Sequence, residues 1–171
     1  GFIGIPRTAA LRMDGVLVQA GHPVGVAAVA PDRLDLMEKL VPDGGGLGDR
    51  AVYLAQAGNA WLVAGYTDAA IVAFDSALKI APEDPQILAD RAAAYLGSDQ
   101  IDEAIADLDK SLSITPNSVD ALQMRARAYL SQDNLDAAEI DMNRALLLDR
   151  SNIDTLVLRG DIREAKRLAG E

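Results

Sequence analysis

Few residues of this chain are of a type that performs catalysis. His22 is the single histidine, cysteine is absent, and residues 20–23 around His22 have the composition of a turn. Acid–base and nucleophilic catalysis need groups that converge, and His22 has no obvious partner. We therefore interpret His22 as a turn residue and predict that the protein is not an enzyme and has no catalytic residues.

The carboxylates and the glycines also favour structural roles. Asp107 and Asp109 are two positions apart on a predicted helix, so they do not share a face. Asp102 and Glu103 lie at a predicted helix start, where acidic groups complement the helix dipole. The glycine-rich segment 44–48 lacks the lysine and hydroxyl residue of a phosphate-binding loop. The sequence thus predicts no metal site and no cofactor.

The charge balance restricts the classes of partner. The 171 residues carry a net charge of −10, whereas binding to nucleic acid requires clustered lysine and arginine. We therefore predict no nucleic-acid partner. No run of apolar residues is long enough to span a bilayer, so no membrane insertion is expected. Because 50% of the residues are hydrophobic but only 4% are aromatic, the composition favours closely packed helices.

A period of 34 residues runs through most of the chain. Three related segments begin at residues 77, 111 and 145, and each ends in Pro or Arg five positions later. The period predicts three repeats without insertions, at 51–84, 85–118 and 119–152.

Each repeat has the pattern of two helices. In the second repeat, apolar residues at spacings of three and four mark one face of each helix, and residues 97–100 form the turn between them. Pro82, Pro85 and Pro116 lie where one helix ends and the next begins. Ser118 is predicted to cap the following helix.

The residues at fixed offsets resemble the tetratricopeptide repeat (TPR), whose pattern runs from a large residue through a small residue and an aromatic residue to alanine and proline. The first repeat matches with Leu54, Ala57, Gly58, Trp61, Ala70, Phe74, Ala77 and Pro82. The second matches with Leu88, Arg91, Ala92, Tyr95, Ala104, Leu108, Ser111 and Pro116. The third matches with Leu122, Arg125, Ala126, Tyr129, Ala138, Met142 and Ala145, and has Arg150 where proline is usual.

The resemblance implies an all-α fold, a right-handed α-solenoid of three helical hairpins followed by a C-terminal capping helix at 153–169. Leu156, Arg159 and Gly160 begin a fourth unit in the same register, and the charged residues after them suit the polar outer face of a cap. We therefore predict a TPR domain at 49–171 that follows an N-terminal segment at 1–48.

Residues 1–48 do not fit the repeat and resemble no family. Residues 16–18 and 24–29 are predicted as short strands joined by the turn at 20–23, and residues 32–40 as a short helix. The glycine-rich residues 43–48 are predicted as a linker. Three roles stay open for the segment: a strand pair that packs on the first repeat, an arm that pairs with another chain, and a partly disordered tail.

In TPR proteins the stacked first helices line a concave surface, so the resemblance implies that this face binds a partner. In the first repeat the candidate residues are Gln56, Asn59 and Val63. In the second repeat they are Gln86, Asp90 and Ala93. In the third repeat they are Asp120, Gln123, Met124 and Arg127.

Some family members use this face to clamp the C-terminal carboxylate of a chaperone with lysine, asparagine and arginine side chains. The matching positions here are Ala55, Asn59, Asp90, Asp120 and Met124, and only Asn59 agrees. Two of the positions carry negative charge, so a carboxylate clamp is disfavoured. We instead expect a mixed apolar and polar peptide or helix, with basic groups to meet the two aspartates.

Three arginines, Arg91, Arg125 and Arg159, recur at one position of the repeat. We predict a structural role, in which they form a ladder with neighbouring acids such as Asp90 or Asp120. Binding to carboxylates of a partner is the alternative.

The sequence therefore predicts a non-enzymatic scaffold or adaptor that binds a protein or peptide partner. One alternative is a structural protein that assembles into homo-oligomers through residues 1–48 or the repeat surface. A more remote alternative is a regulatory fragment of an enzyme. The alanine-rich, cysteine-free composition resembles that of bacterial repeat proteins, and both cytoplasm and periplasm stay open as locations.

Overall fold

The structure, a computed structural model, describes residues 10–13, 16–19 and 46–170. The chain forms two compact units, Gly1–Pro82 and Glu83–Glu171. The predicted second strand at 24–29, the short helix at 32–40, residues 43–45 of the predicted linker and His22 all lie outside the described residues. The linker prediction is wrong for residues 46–48, because Gly46 is the N-cap of the first helix and Leu47 and Gly48 begin that helix.

The described part of the first unit contains a strand pair and one helical hairpin. Strand β1 (Ala10–Met13) runs antiparallel to β2 (Val16–Gln19), with Ala10 opposite Gln19 and Met13 opposite Val16. β2 lies on the first predicted strand, and its partner among the described residues is β1, which precedes it in sequence.

The hairpin of the first unit consists of α1 (Leu47–Val63) and α2 (Thr67–Ile80). A Cβ built at Gly58 would lie 2.7 Å from the ring of Phe74. The helices therefore approach so closely that no side chain fits at residue 58. Trp61, Ala70, Phe74 and Ala77 are fully buried around this contact.

The second unit contains two hairpins and a final helix. Helices α3 (Pro85–Gly97) and α4 (Ile101–Ile114) form one hairpin. Helices α5 (Val119–Ser131) and α6 (Leu135–Leu148) form the next. The final helix is α7 (Ile153–Ala169), which packs on α6 and α5 and ends at the left-handed Gly170. The predicted all-α fold of three hairpins and a C-terminal helix is confirmed for the described residues.

The helix starts follow from local sequence. The Asp84 carboxylate accepts hydrogen bonds from the backbone N–H groups of Gln86 and Ile87, and Pro85 occupies the first helical position. Ser118 accepts from the N–H of Ala121, which confirms the predicted cap. Because helices α3, α5 and α7 begin at residues 85, 119 and 153, the 34-residue period of the sequence is also the period of the structure.

The hairpin turns share one backbone feature. Gly65, Asp99 and Asp133 stand at equivalent positions with φ of 85°, 60° and 58°. This left-handed conformation suits glycine and is tolerated by aspartate. Asp99 thus belongs to the turn before α4.

The core of the second unit is made of small and aliphatic side chains. The fully buried residues are Ala92, Ala104, Leu108, Leu122, Ala126, Ala138, Met142, Ala145 and Ile162. Small residues on the first helix of each hairpin let the second helix pack closely. No helix among the described residues is both long and apolar enough to cross a membrane.

Candidate functional site

In the second unit, α5 lies against both α3 and α7, so the first helices of successive repeats form one face. We call this surface the first-helix face and define it by its predicted members Gln86, Asp90, Ala93, Asp120, Gln123, Met124 and Arg127. These residues differ in how accessible they are. Gln86, Asp120 and Arg127 are exposed, Asp90, Ala93 and Met124 are half-buried, and Gln123 is buried.

The polar groups of this face are in part engaged with one another. The Gln86 amide donates to Oδ1 of Asp90 over 2.8 Å, one turn along α3. Met124 packs against the core of the second unit. Asp120 and Arg127 on α5 extend into solvent and are the accessible charges of this helix on the face.

Gln123 joins α5 to α7. Its Nε2 atom donates to Oδ1 of Asn152 over 2.9 Å and to Oγ1 of Thr155 over 2.6 Å. Asn152 in turn caps α7 by accepting from the backbone N–H of Thr155. The amide of Gln123 therefore holds neighbouring repeats together.

A cleft opens where the preceding repeat has no such amide. Ala89 on α3 is equivalent to Gln123, and its methyl group leaves space between the start of α3 and the loop before α5. The cleft has a volume of about 510 Å³. Its lining residues are Pro85, Gln86, Ala89, Ser111, Ile114, Thr115, Pro116, Asn117 and Ser118. The walls thus combine apolar surface with hydroxyl and amide groups.

The other three predicted site residues lie on α1 in the first unit. Gln56, Asn59 and Val63 are all exposed on their own hairpin. Ala55, the position of a lysine in carboxylate-clamp proteins, is buried.

The recurring arginines form ion pairs inside the hairpins. Arg91 on α3 donates to both oxygens of Asp107 on α4, with Nε–Oδ2 and Nη2–Oδ1 distances of 2.7 Å each. Arg125 on α5 contacts Asp141 on α6 in the same way, at 2.8 and 2.7 Å. Their predicted structural role is therefore correct for these two arginines, but the acids are not the expected Asp90 and Asp120. Those acids lie on the same helices as the arginines or at their starts, whereas Asp107 and Asp141 face the arginines across each hairpin.

Arg125 has a second acid partner from the preceding hairpin. Its Nη1 atom lies 2.6 Å from Oδ1 of Asp109 on α4. The hydrogen bonds to Asp141 are the largest influence and raise the pKa of Arg125 above its ordinary value, although burial opposes this. Arg91 and Arg125 also lie over the rings of Tyr95 and Tyr129, at 5.6 and 5.9 Å from the ring centroids.

Asp107 and Asp109 illustrate a signal that sequence reasoning used only in part. Their two-residue spacing predicted that they face different ways, and Asp107 indeed bonds within its own hairpin while Asp109 bonds to the next. The recurrence of Asp107 as Asp141 at the 34-residue period, in step with Arg91 and Arg125, was the signal that identifies the pairs.

Comparison with known proteins places the repeats in a family. A family model described as "Tetratricopeptide repeat" matches residues 95–157. Residues 95–157 thus belong to the tetratricopeptide repeat family. The matched TPR segment runs from the end of α3 to the start of α7. The sequence matches none of the curated proteins.

Several solved structures share the fold. The Arabidopsis OM64 TPR domain has a TM-score of 0.68 at 24% identity, with 70% of this chain and 98% of that chain covered. The structure of MamA has a TM-score of 0.69 at 17% identity, with coverage of 84% and 78%. The first TPR of Spaghetti (RPAP3), bound to HSP90 peptide SRMEEVD, has a TM-score of 0.65 at 22% identity, with coverage of 71% and 94%. At these identities the likeness establishes the fold.

Proposed function

We propose that this TPR protein is a non-enzymatic interaction scaffold that binds a peptide or helix of a partner protein on its first-helix face. The observation that carries the proposal is the open cleft beside Gln86, on the face formed by successive first helices. A TPR structure of the same fold, that of Spaghetti (RPAP3), is bound to a peptide. A ligand cleft needs apolar walls with a few polar groups that orient the ligand, and this cleft has both.

The charges of the face favour a basic partner. Asp90 accepts a hydrogen bond from Gln86, which lines the cleft, and Asp120 is exposed at the start of α5. Ala93 and Met124 supply apolar surface between these acids and Arg127. An interface of this kind selects a partner through complementary charge, because like charges that face each other are costly. We therefore propose an amphipathic segment with lysine or arginine beside its apolar residues.

An acidic C-terminal peptide such as SRMEEVD is a poor fit to this face. The positions on this face that carry clamp cations in other family members hold the half-buried Met124 and the acidic Asp120. No cation at these positions is available to receive a terminal carboxylate. The face thus differs in ligand chemistry from the RPAP3 domain whose fold it shares.

Peptide binding measured by fluorescence anisotropy tests the proposal. Two short amphipathic peptides that are identical except for Lys in place of Glu serve as probes, and SRMEEVD serves as a third. We expect saturable binding of the Lys peptide and at least tenfold weaker binding of the other two. Tighter binding of the Glu peptide or of SRMEEVD would contradict the proposed chemistry.

Charge reversal then assigns the site. Asp120→Lys is expected to weaken binding of the Lys peptide about tenfold, since it replaces an electrostatic attraction by a repulsion. Glu103→Lys is the matched control, because Glu103 is likewise an exposed acid in the first turn of a helix, α4, but lies outside the first-helix face. If both charge reversals weaken peptide binding equally, the affinity depends only on the net charge of the protein. That result would contradict a binding site on this face.

A further inference from the structure

The outward side of α7 carries the residues that, in the preceding repeats, lie beneath a second helix. We call it the α7 outer face and define it by Leu156, Arg159, Gly160 and Arg163. Leu156 and Gly160 are equivalent to Leu122 and Ala126 of α5, which are completely buried in the core of the second unit.

In α7 the same positions are open. Leu156 is 41% exposed, whereas Leu122 is 0% exposed. A Cβ built at Gly160 would meet no atom within 4 Å, whereas one at Gly58 would meet the ring of Phe74 at 2.7 Å. The small residue that permits close approach of a helix is therefore present at residue 160, and no described helix packs there.

Arg159 lacks the acids that its equivalents have. Arg125 bonds to Asp141 across its hairpin and to Asp109 from the hairpin before. Asn143 replaces Asp109 at the corresponding position beside Arg159. Within the described residues Arg159 forms no ion pair, and neither does Arg150 or Arg163. Three unpaired guanidinium groups thus cluster in a protein whose net charge is −10.

A cleft adjoins this face. It has a volume of about 420 Å³ and is lined by Asn143, Leu146, Leu147, Arg150, Leu156 and Arg159. Leu147 is 75% exposed, so the cleft offers leucine surface flanked by two arginines. Its chemistry suits a ligand that is apolar on one side and acidic beside it.

We propose that the α7 outer face binds an amphipathic helix of a partner protein, in the position that α4 and α6 occupy in the preceding hairpins. Those helices present one pattern: a small residue, an aspartate three positions on, and a large apolar residue next to it. In α4 the pattern is Ala104, Asp107 and Leu108. In α6 it is Ala138, Asp141 and Met142.

The partner helix would use the same three contacts. Its aspartate would receive two hydrogen bonds from Arg159, as Asp107 does from Arg91 and Asp141 from Arg125. Its large apolar residue would pack over Gly160, as Phe74 packs over Gly58. Its remaining acidic groups would face Arg150 and Arg163.

A labelled peptide with the sequence of residues 101–114 is the probe, because it carries the pattern and is acidic. Fluorescence anisotropy with the full chain should show saturable binding. The Asp107→Asn form of the peptide should bind at least tenfold more weakly, since an uncharged amide replaces the carboxylate that Arg159 contacts. The absence of saturable binding of the unmodified peptide would overturn the proposal.

Two variants of the protein locate the binding. Gly160→Leu should abolish peptide binding, because the leucine side chain would occupy the space that the bound helix needs above residue 160. Its melting temperature should not fall, because the site is open and leucine is the better helix former. Arg159→Gln should weaken binding about tenfold, and Arg144→Gln, an equal charge change outside the cleft, should leave it within twofold.

The outcomes separate this surface from the first-helix face. Unchanged binding to Gly160→Leu would overturn the proposal. Tighter binding of the acidic peptide to Asp120→Lys, together with unchanged binding to Arg159→Gln, would also overturn it, because it would move the peptide to the first-helix face. Light scattering, which measures the oligomeric state, tests whether a second copy of this chain occupies the α7 outer face. A concentration-dependent dimer that Gly160→Leu abolishes would overturn the assignment to a partner protein. If the Lys peptide does not bind to the first-helix face, the proposed function is contradicted, but binding of the 101–114 peptide to the α7 outer face is not affected.

Discussion

The first hairpin and the two hairpins of the second unit fill equivalent positions with different chemistry. Ala57 and Ala73 of the first hairpin are both fully buried. In the next hairpin the same positions hold Arg91 and Asp107, which form an ion pair with two hydrogen bonds. At these positions the two helices of the first hairpin carry small apolar residues, whereas those of the later hairpins carry a largely buried ion pair.

The repeat therefore constrains side-chain volume and the approach of the two helices more strongly than it constrains polarity. Gly58 opposes the large Phe74, while Ala92 and Ala126 accompany the smaller Leu108 and Met142. A buried ion pair contributes little net free energy over an apolar pair of similar volume, but losing one partner is costly. The later hairpins are therefore more sensitive to single substitutions at this position than the first.

The largest expected effect is that of Arg125→Ala. It leaves the Asp141 carboxylate, which is 3% exposed, without its main partner, and we expect unfolding free energy to fall by about 3 kcal/mol. Adding Asp141→Ala copies the alanine pair of the first hairpin and should recover part of the loss. Urea unfolding followed by circular dichroism measures both, with Arg127→Ala, on the exposed side of α5, as the control. If the double variant is as unstable as the sum of the singles, the pair does not act as a unit.

A somewhat smaller effect is expected at the closest helix contact. Gly58→Ala places a Cβ 2.7 Å from the ring of Phe74, and overpacking of this kind costs about 2 kcal/mol. Gly160→Ala is the matched change at a site with open space, and it should stabilise by about 0.5 kcal/mol through helix propensity. Thermal unfolding of the two variants should therefore shift in opposite directions. A parallel shift would mean that the first hairpin is not closely packed at residue 58.

The second hairpin provides an equivalent test of packing. Ala104 is fully buried opposite α3, so Ala104→Leu should cost about 1–3 kcal/mol. Ala106→Leu, an exposed site on the same helix, controls for helix propensity. A melting temperature for Ala104→Leu equal to that of the control would contradict the close approach of α3 and α4.

The smallest effect concerns the turns. The first hairpin has Gly65 at the left-handed position, whereas the third has Asp133 with φ of 58°. Asp133→Gly should stabilise slightly, by about 0.5 kcal/mol, because glycine adopts this conformation without steric cost. Denaturant unfolding measures the change in unfolding free energy, and Asp133→Ala, which should destabilise the protein, serves as the opposite change. Stabilisation by alanine instead would show that the side chain, not the backbone conformation, decides at this turn.

Much of the fold was predictable because its signals are local. The 34-residue period, the prolines and the cap at Ser118 are properties of short stretches, and helix boundaries follow from them. The site was less accessible to such reasoning. Gln123 was assigned to the binding face from its position in the repeat, but its amide is engaged with Asn152 and Thr155, which lie 29 and 32 residues away.

The N-terminal segment shows the same limit. The strand at residues 16–18 could be predicted from its β-branched residues, but its pairing with β1 was not predicted. Alternating side chains mark a strand, but they do not decide which neighbouring segment pairs with it.

The number, length and spacing of the repeats follow from the amino-acid sequence alone, since apolar periodicity, small residues and turn residues act within a few positions of one another. Tertiary structure decided which charges meet. Arg91 and Arg125 had several acids within reach along the chain, and only the approach of the second helix selects Asp107 and Asp141. It also decided that Arg159 stays without an acid among the described residues and that Gly160 lies open. The partner of Arg159 and the space at Gly160 both depend on whether another helix packs against α7. The sequence of α7 alone does not determine this packing.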